Sequence, residues 1–89
     1  MKIVKKVKVL NELGLHIRPA AMIVKLLQSK YSSVYFRYKK NNVNARSVMG
    51  ILSLAAKKNA KIAIVVEGSD SENTMEEILE AFKKRFGEI

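Results

Sequence analysis

Gly14-Leu15-His16-Ile17-Arg18-Pro19-Ala20-Ala21 holds the only histidine and the only proline of the 89 residues, and its reading decides how the chain folds. Pro19 has its φ fixed near the helical value and lacks a backbone N–H, so it suits the first turn of a helix. A helix is therefore predicted to begin around Ile17, with Gly14 supplying backbone freedom just before it. Behind Pro19, the residues Ala20, Ile23, Val24, Leu27 and Tyr31 recur at helical spacing and make one apolar face. His16 then stands at or beside the N-cap, where first-turn N–H groups have no intrahelical partner and the macrodipole is positive. Arg18 follows two residues later.

A lone histidine at a helix start is often only a cap or a surface residue. The conjunction with Arg18 gives it a chemical use. Imidazole is a good neutral nucleophile near pH 7, and a phosphoryl group carried on it would meet free amides, a helix N-terminus and a guanidinium. The helix terminus contributes about 0.3–1 kcal/mol toward a nearby anion. A charge-assisted hydrogen bond adds ~1.5–3 kcal/mol, so Arg18 matters at least as much as the dipole. With one histidine and no paired carboxylate or metal cluster in view, the pattern suggests a stoichiometric carrier and not a free-standing enzyme. No cofactor is implied.

Outward from this stretch the elements follow in order. Ile3 to Leu10 is rich in valine and reads as a first strand, ending at the turn Asn11-Glu12-Leu13-Gly14. After the helix, Val34, Phe36 and Tyr38 alternate with Tyr35 and Arg37, a period of two. The polar run Lys39-Lys40-Asn41-Asn42 reads as a hairpin loop into Val43-Asn44-Ala45. Ser47 is placed as an N-cap for a short helix over Val48 to Leu54. With Ile51 and Leu54 toward the core, two readings of Val48, Met49 and Leu52 stand equal on the residues alone: they face outward as a small apolar docking patch, or all five are core and the segment lies deeper. Lys61 to Glu67 is a strand with Ile62, Ile64 and Val66 on one face. Ser69 with Glu72, or Ser71, is expected to cap a last helix whose Met75, Ile78, Leu79, Phe82 and Phe86 recur at helical spacing. No chemistry is expected of that last element beyond holding the core.

The order β-α-β-β-α-β-α, without repeat or linker, lets one sheet carry its helices on a single face, a two-layer α/β sandwich in one domain over 1–89. Net charge is +9, divided between +13 over Met1 to Val66 and −4 over Glu67 to Ile89. A partner with an acidic docking surface would be steered to the basic part, which includes His16 and Arg18. Cysteine is absent, so packing alone must stabilise the fold. No stretch approaches the ~20 apolar residues of a membrane span, and the chain reads as soluble and cytoplasmic, without membrane insertion.

Gly14-Leu15-His16-Ile17-Arg18-Pro19-Ala20 resembles the phosphorylation-site motif of the HPr family, the histidine-containing phosphocarriers of the phosphoenolpyruvate-dependent sugar phosphotransferase system. Arg46-Ser47-Val48-Met49-Gly50-Ile51-Leu52-Ser53-Leu54 resembles that family's regulatory-serine segment at the expected distance. The resemblance implies an open-faced sandwich, a four-stranded antiparallel sheet with three helices on one face. It implies a monomeric carrier that accepts a phosphoryl group from enzyme I on Nδ1 of His16 and passes it to enzyme IIA domains. Ile17 and Arg18 would support the phosphate at the helix start. It further implies phosphorylation of Ser47 by an HPr kinase/phosphorylase, and partner contacts at Val48, Met49 and Leu52. Three departures stand out: Leu13 where many members carry Asn, Ser or Thr, Ile17 where Ala or Thr is common, and Lys39-Lys40 near the usual Asn-Gly. Asn11-Glu12-Leu13-Gly14 also resembles the nitrogen-related paralogues, whereas the Ser47 segment does not. From another class, Tyr35, Phe36 and Tyr38 on a basic β-α-β-β-α-β chain suggest an RNA-binding module. Its glycine-containing aromatic motif is absent, so no nucleic-acid partner is expected.

Overall fold

A computed structural model describes residues 1–88. The elements are β1 (Lys2–Lys8), α1 (Ile17–Leu27), β2 (Ser33–Tyr38), β3 (Asn41–Asn44), α2 (Val48–Ser53), β4 (Lys61–Glu67) and α3 (Ser71–Lys83), followed by a 3-10 turn over Arg85–Gly87. The expected order is thus observed. The four strands form one antiparallel sheet in the order β1-β4-β2-β3, so β4, late in the chain, occupies an interior position.

Alternation dictates which side of the sheet is covered. Val34 and Phe36 of β2 and Ile62, Ile64 and Val66 of β4 are fully buried, because the helices pack on that face. α1 contributes Ala20, Ile23 and Leu27 to the same core, and α3 contributes Met75, Ile78 and Phe82. Phe82 stands edge-on between Phe36 and Phe86, at centroid distances of 6.0 and 4.8 Å. These rings fix the end of α3 against the sheet and add directional packing to area burial.

Several boundaries differ from the sequence expectation. β1 stops at Lys8, although Val9 stays buried and continues to bond the segment before β4 through Val9 N–H to Ala60 O and Asn59 N–H to Val9 O. Asn41 and Asn42 belong to β3, so the hairpin turns within Lys39-Lys40, with Lys39 at φ 55°. Tyr31 is not on the apolar face of α1: the helix ends four residues earlier and Tyr31 is 88% exposed. The serines do not cap α3. Asp70 occupies its N-cap position, but its carboxylate reaches across to the Tyr31 and Ser32 N–H groups, both at 2.9 Å, and to the Ser32 hydroxyl. That side chain ties the start of β2 to α3, and these bonds hold its carboxyl at about 2, below the ordinary 3.8.

Arg46 makes a second tie. Its guanidinium donates to the carbonyls of Leu27, Lys30 and Ser32 at 2.7, 2.9 and 2.8 Å, so it ties the end of α1 and the segment into β2 to the start of α2.

Candidate functional site

The site is built from the turn before α1. Gly14 has φ +69°, and a Cβ there would lie 2.4 Å from Ala56 O. Only glycine meets both demands, the left-handed backbone and the close approach. The neighbouring Leu15 N–H bonds that same oxygen at 2.9 Å. His16 follows as the N-cap of α1, with φ −79° and ψ −169°, and its carbonyl accepts the first helical bond, from Ala20 N–H at 3.1 Å. Its side chain makes no cap hydrogen bond, so the imidazole is free to serve elsewhere. Pro19 is buried inside the first turn, as its fixed φ requires. The N–H groups of Ile17 and Arg18 have no partner among the described residues, and they face outward with the positive end of the helix.

The expectation of a histidine without a carboxylate is corrected by the structure. His16 Nε2 lies 2.6 Å from Glu88 Oε2. The other oxygen, Oε1, accepts a hydrogen bond from Asn11 Nδ2 at 2.9 Å, and the same amide group donates to Gly14 O at 2.7 Å. Asn11 is almost wholly buried, so the carboxylate is held from a rigid base. Burial opposes ionisation of Glu88, but hydrogen bonds from Asn11 and His16, with the charges of His16 and Arg18, outweigh it and hold its carboxyl below the ordinary value of 4.5. An ionised carboxylate only accepts hydrogen bonds, so Nε2 is the protonated nitrogen of the pair. In the neutral ring Nδ1 is then the nitrogen with the lone pair, and it has no hydrogen-bond partner among the described residues.

Arg18 is exposed and makes no hydrogen bond or ion pair among the described residues. It lines a shallow depression of about 350 Å³ with Glu12, Leu13, Gly87 and Glu88. The charge in contact with the imidazole is therefore the carboxylate of Glu88, with the guanidinium standing at the rim. Neither Glu88 nor Asn11 was singled out from the sequence. They lie 72 and 5 residues from His16, and only the return of the chain after α3 brings Glu88 to the ring.

Ser47 sits where the sequence placed it. Its hydroxyl accepts from Gly50 N–H at 2.9 Å at the start of α2. The outward patch is more mixed than expected: Met49 is 74% exposed, but Val48 and Leu52 are half-buried and pack on the core. A helix of six residues cannot turn three apolar side chains fully outward while Ile51 and Leu54 stay inside. The exposed apolar surface beside the imidazole comes instead from Leu13 and Ile17, at 72% and 66%. Their large side chains next to the histidine are a signal that the sequence already held.

The sequence profile described as "PTS HPr component phosphorylation site" matches residues 3–84. The chain belongs to the HPr family. It is 40% identical to phosphocarrier protein HPr of Chlamydia muridarum over 79 residues, which are 89% of this chain and 76% of that protein. It is 37% identical to phosphocarrier protein HPr of Treponema pallidum over 86 residues, covering 97% and 98% of the two chains. Its backbone is similar to the crystal structure of HPr-C-His from Thermoanaerobacter tengcongensis, with a TM-score of 0.92, 30% identity and 98% of each chain covered. The HPr family consists of phosphocarriers of the phosphotransferase system, and the four-stranded sheet with three helices described above is its fold.

Proposed function

We propose that this chain carries a phosphoryl group on Nδ1 of His16, taking it from phosphorylated enzyme I and giving it to enzyme IIA domains of a sugar transport system. The observation that carries this reading is the Asn11-Glu88-His16 chain of hydrogen bonds, which engages Nε2 and leaves Nδ1 without a partner among the described residues at the positive end of α1; in the neutral ring that nitrogen holds the lone pair. In the forward step the Nδ1 lone pair attacks phosphorus, a P–N bond forms on His16, and the P–N bond on the donor histidine breaks with its electron pair returning to that ring. Transfer onward is the same displacement with His16 as the leaving group.

A carrier must hold the group without binding it too tightly. Arg18 and the free N–H groups of Ile17 and Arg18 attract the phosphoryl oxygens, whereas the carboxylate of Glu88 keeps negative charge close by. The opposed charges favour a phosphohistidine that forms readily and leaves readily. Leu13, Ile17 and Met49 form the apolar ground on which acidic partners dock, with the half-buried Val48 and Leu52 at its edge. The protein acts as a cytoplasmic monomer, and turnover depends on its partners.

Ser47 is the regulatory position of this reading, with an HPr kinase/phosphorylase as its modifying partner. A phosphate there brings about −1.5 to −2 charges next to Met49 and repels an acidic partner. The Ser47 segment favours the sugar branch over the nitrogen-related one.

Incubation with phosphoenolpyruvate and purified enzyme I tests the central claim. One acid-labile phosphoryl group per chain is expected, absent from His16→Ala. Stoichiometric labelling of that variant would refute the assignment.

A further inference from the structure

The side of the sheet that carries no helix has a charge pattern that phosphoryl transfer does not use. Register places Lys6, Ala63, Arg37 and Asn42 in one row across β1, β4, β2 and β3, and Lys8 opposite Lys61 in the next. Val4, Val65, Tyr35 and Asn44 form the row on the other side. Paired strands lie about 5 Å apart and residues on one face of a strand about 7 Å apart. Lys6, Lys8, Arg37 and Lys61 thus fall within a patch roughly 10 by 7 Å, all exposed. Among the described strand residues of this face the one acid is Glu67, directly opposite Lys2 at the far end. Like charges facing each other across strands are destabilising, so a bound anion would relieve the Lys8 and Lys61 pair.

We infer that this open face binds single-stranded nucleic acid, with phosphates on the Lys6, Lys8, Arg37 and Lys61 cluster and a base stacked on Tyr35. Charge complementarity requires a polyanion. The choice among polyanions rests on what adjoins the cations. Ala63, with its small side chain, stands between Lys6 and Arg37 in the register. Tyr35, on an interior strand, is exposed and lies one row from the cluster, and the amide of Asn42 is beside Arg37 for a base edge. A single-stranded nucleic acid uses all three features, since each nucleotide brings a phosphate for the cations, a base edge for the amide and a π-face for the ring. The sequence argued against such a partner because an aromatic motif was lacking. Phe36 is indeed buried and Tyr38 turns to the helix side, so one ring and a cation cluster carry this site.

Fluorescence anisotropy of the full chain with a fluorescein-labelled oligouridylate 12-mer tests the proposal. Four phosphate contacts at ~0.7 each give an expected slope of about −3 for log K against log salt. Lys8→Glu with Lys61→Glu should weaken binding at least tenfold. Tyr35→Ala should weaken it about fivefold or more, the low end of what one stacked base contributes. Lys25→Glu with Lys83→Glu, an equal charge change on the helix layer, should cost less than about threefold. Circular dichroism and thermal melts show that the variants are folded. Equal losses from both charge reversals would make the binding diffuse attraction to a basic protein and overturn the proposal. So would absence of binding, or an unchanged affinity for Tyr35→Ala. Binding to phosphatidylglycerol vesicles through the same lysines, without oligonucleotide binding, would make the face a membrane contact and sink it as well. These outcomes do not depend on whether His16 carries phosphate.

Discussion

Asn11 and Glu88, 77 residues apart, meet through a 2.9 Å hydrogen bond whose far side is His16. A carboxylate there accepts from Nε2 and favours, in the neutral ring, the tautomer that leaves Nδ1 unprotonated. Glu88→Ala should therefore raise the share of the Nδ1-protonated tautomer, read by nitrogen chemical shifts, and slow phosphoryl acceptance about tenfold through loss of a charge-assisted hydrogen bond. Glu88 is held below its ordinary value, so its pairing stabilises the folded state fully above pH 4.5 and is lost as pH falls through the lowered value. An unchanged tautomer ratio in the variant would remove Glu88 from the mechanism.

Arg18 is exposed and unpaired among the described residues. Arg18→Ala should leave the melting temperature within error of wild type. Transfer in both directions should slow by about 10- to 100-fold, the equivalent of ~1.5–3 kcal/mol. Rapid-quench measurements with enzyme I and with a IIA domain read the two directions separately.

Gly14→Ala meets both a positive φ and the carbonyl of Ala56. A loss of about 2 kcal/mol or more in urea unfolding is expected, since such strain costs of order 1–3 kcal/mol before any clash. A stability equal to wild type would mean that the Asn11 to Gly14 turn rearranges, and the histidine with it.

Asp70 is held at about 2 by its bonds to Ser32 and Tyr31. Its contribution is complete above the ordinary 3.8 and fades as pH falls toward 2. Asp70→Asn should melt below wild type from pH 5 to 8, with the gap closing under pH 4. A gap that stays constant down to pH 2 would show that the ionised carboxylate is not what ties β2 to α3.

Ser47 caps α2 through Gly50 N–H, so Ser47→Ala should cost about 1 kcal/mol while leaving phosphoryl acceptance intact. Ser47→Asp should keep the stability and slow acceptance from enzyme I, less so at high salt. Equal rates at low ionic strength would separate Ser47 from partner docking.

The sequence made the sheet legible because Val34, Phe36, Ile62, Ile64 and Val66 alternate cleanly, and it made α1 legible because one proline admits few alternatives. The failures have physical causes. Tyr31 kept the helical spacing after the backbone had left the helix. Asn41 and Asn42 look like loop residues, but an edge strand tolerates polar side chains on its exposed side. Ser69 and Ser71 satisfied a capping pattern that Asp70 displaced by position while spending its own oxygens on another element. Of the candidate site, His16, Arg18 and Ser47 follow from local rules of helix starts. Glu88 follows from none, because its contact depends on where the chain returns after α3.

The interior position of β4 has a consequence for synthesis. During translation, residues 1 to 60 leave the ribosome without the strand that must separate β1 from β2. Until residues 61–67 emerge, the apolar sides of β1 and β2 have no shared neighbour, and non-local pairing of this kind is slow and open to misassembly. Completion of the sheet, and with Glu88 the orientation of the imidazole, falls to the last third of the nascent chain.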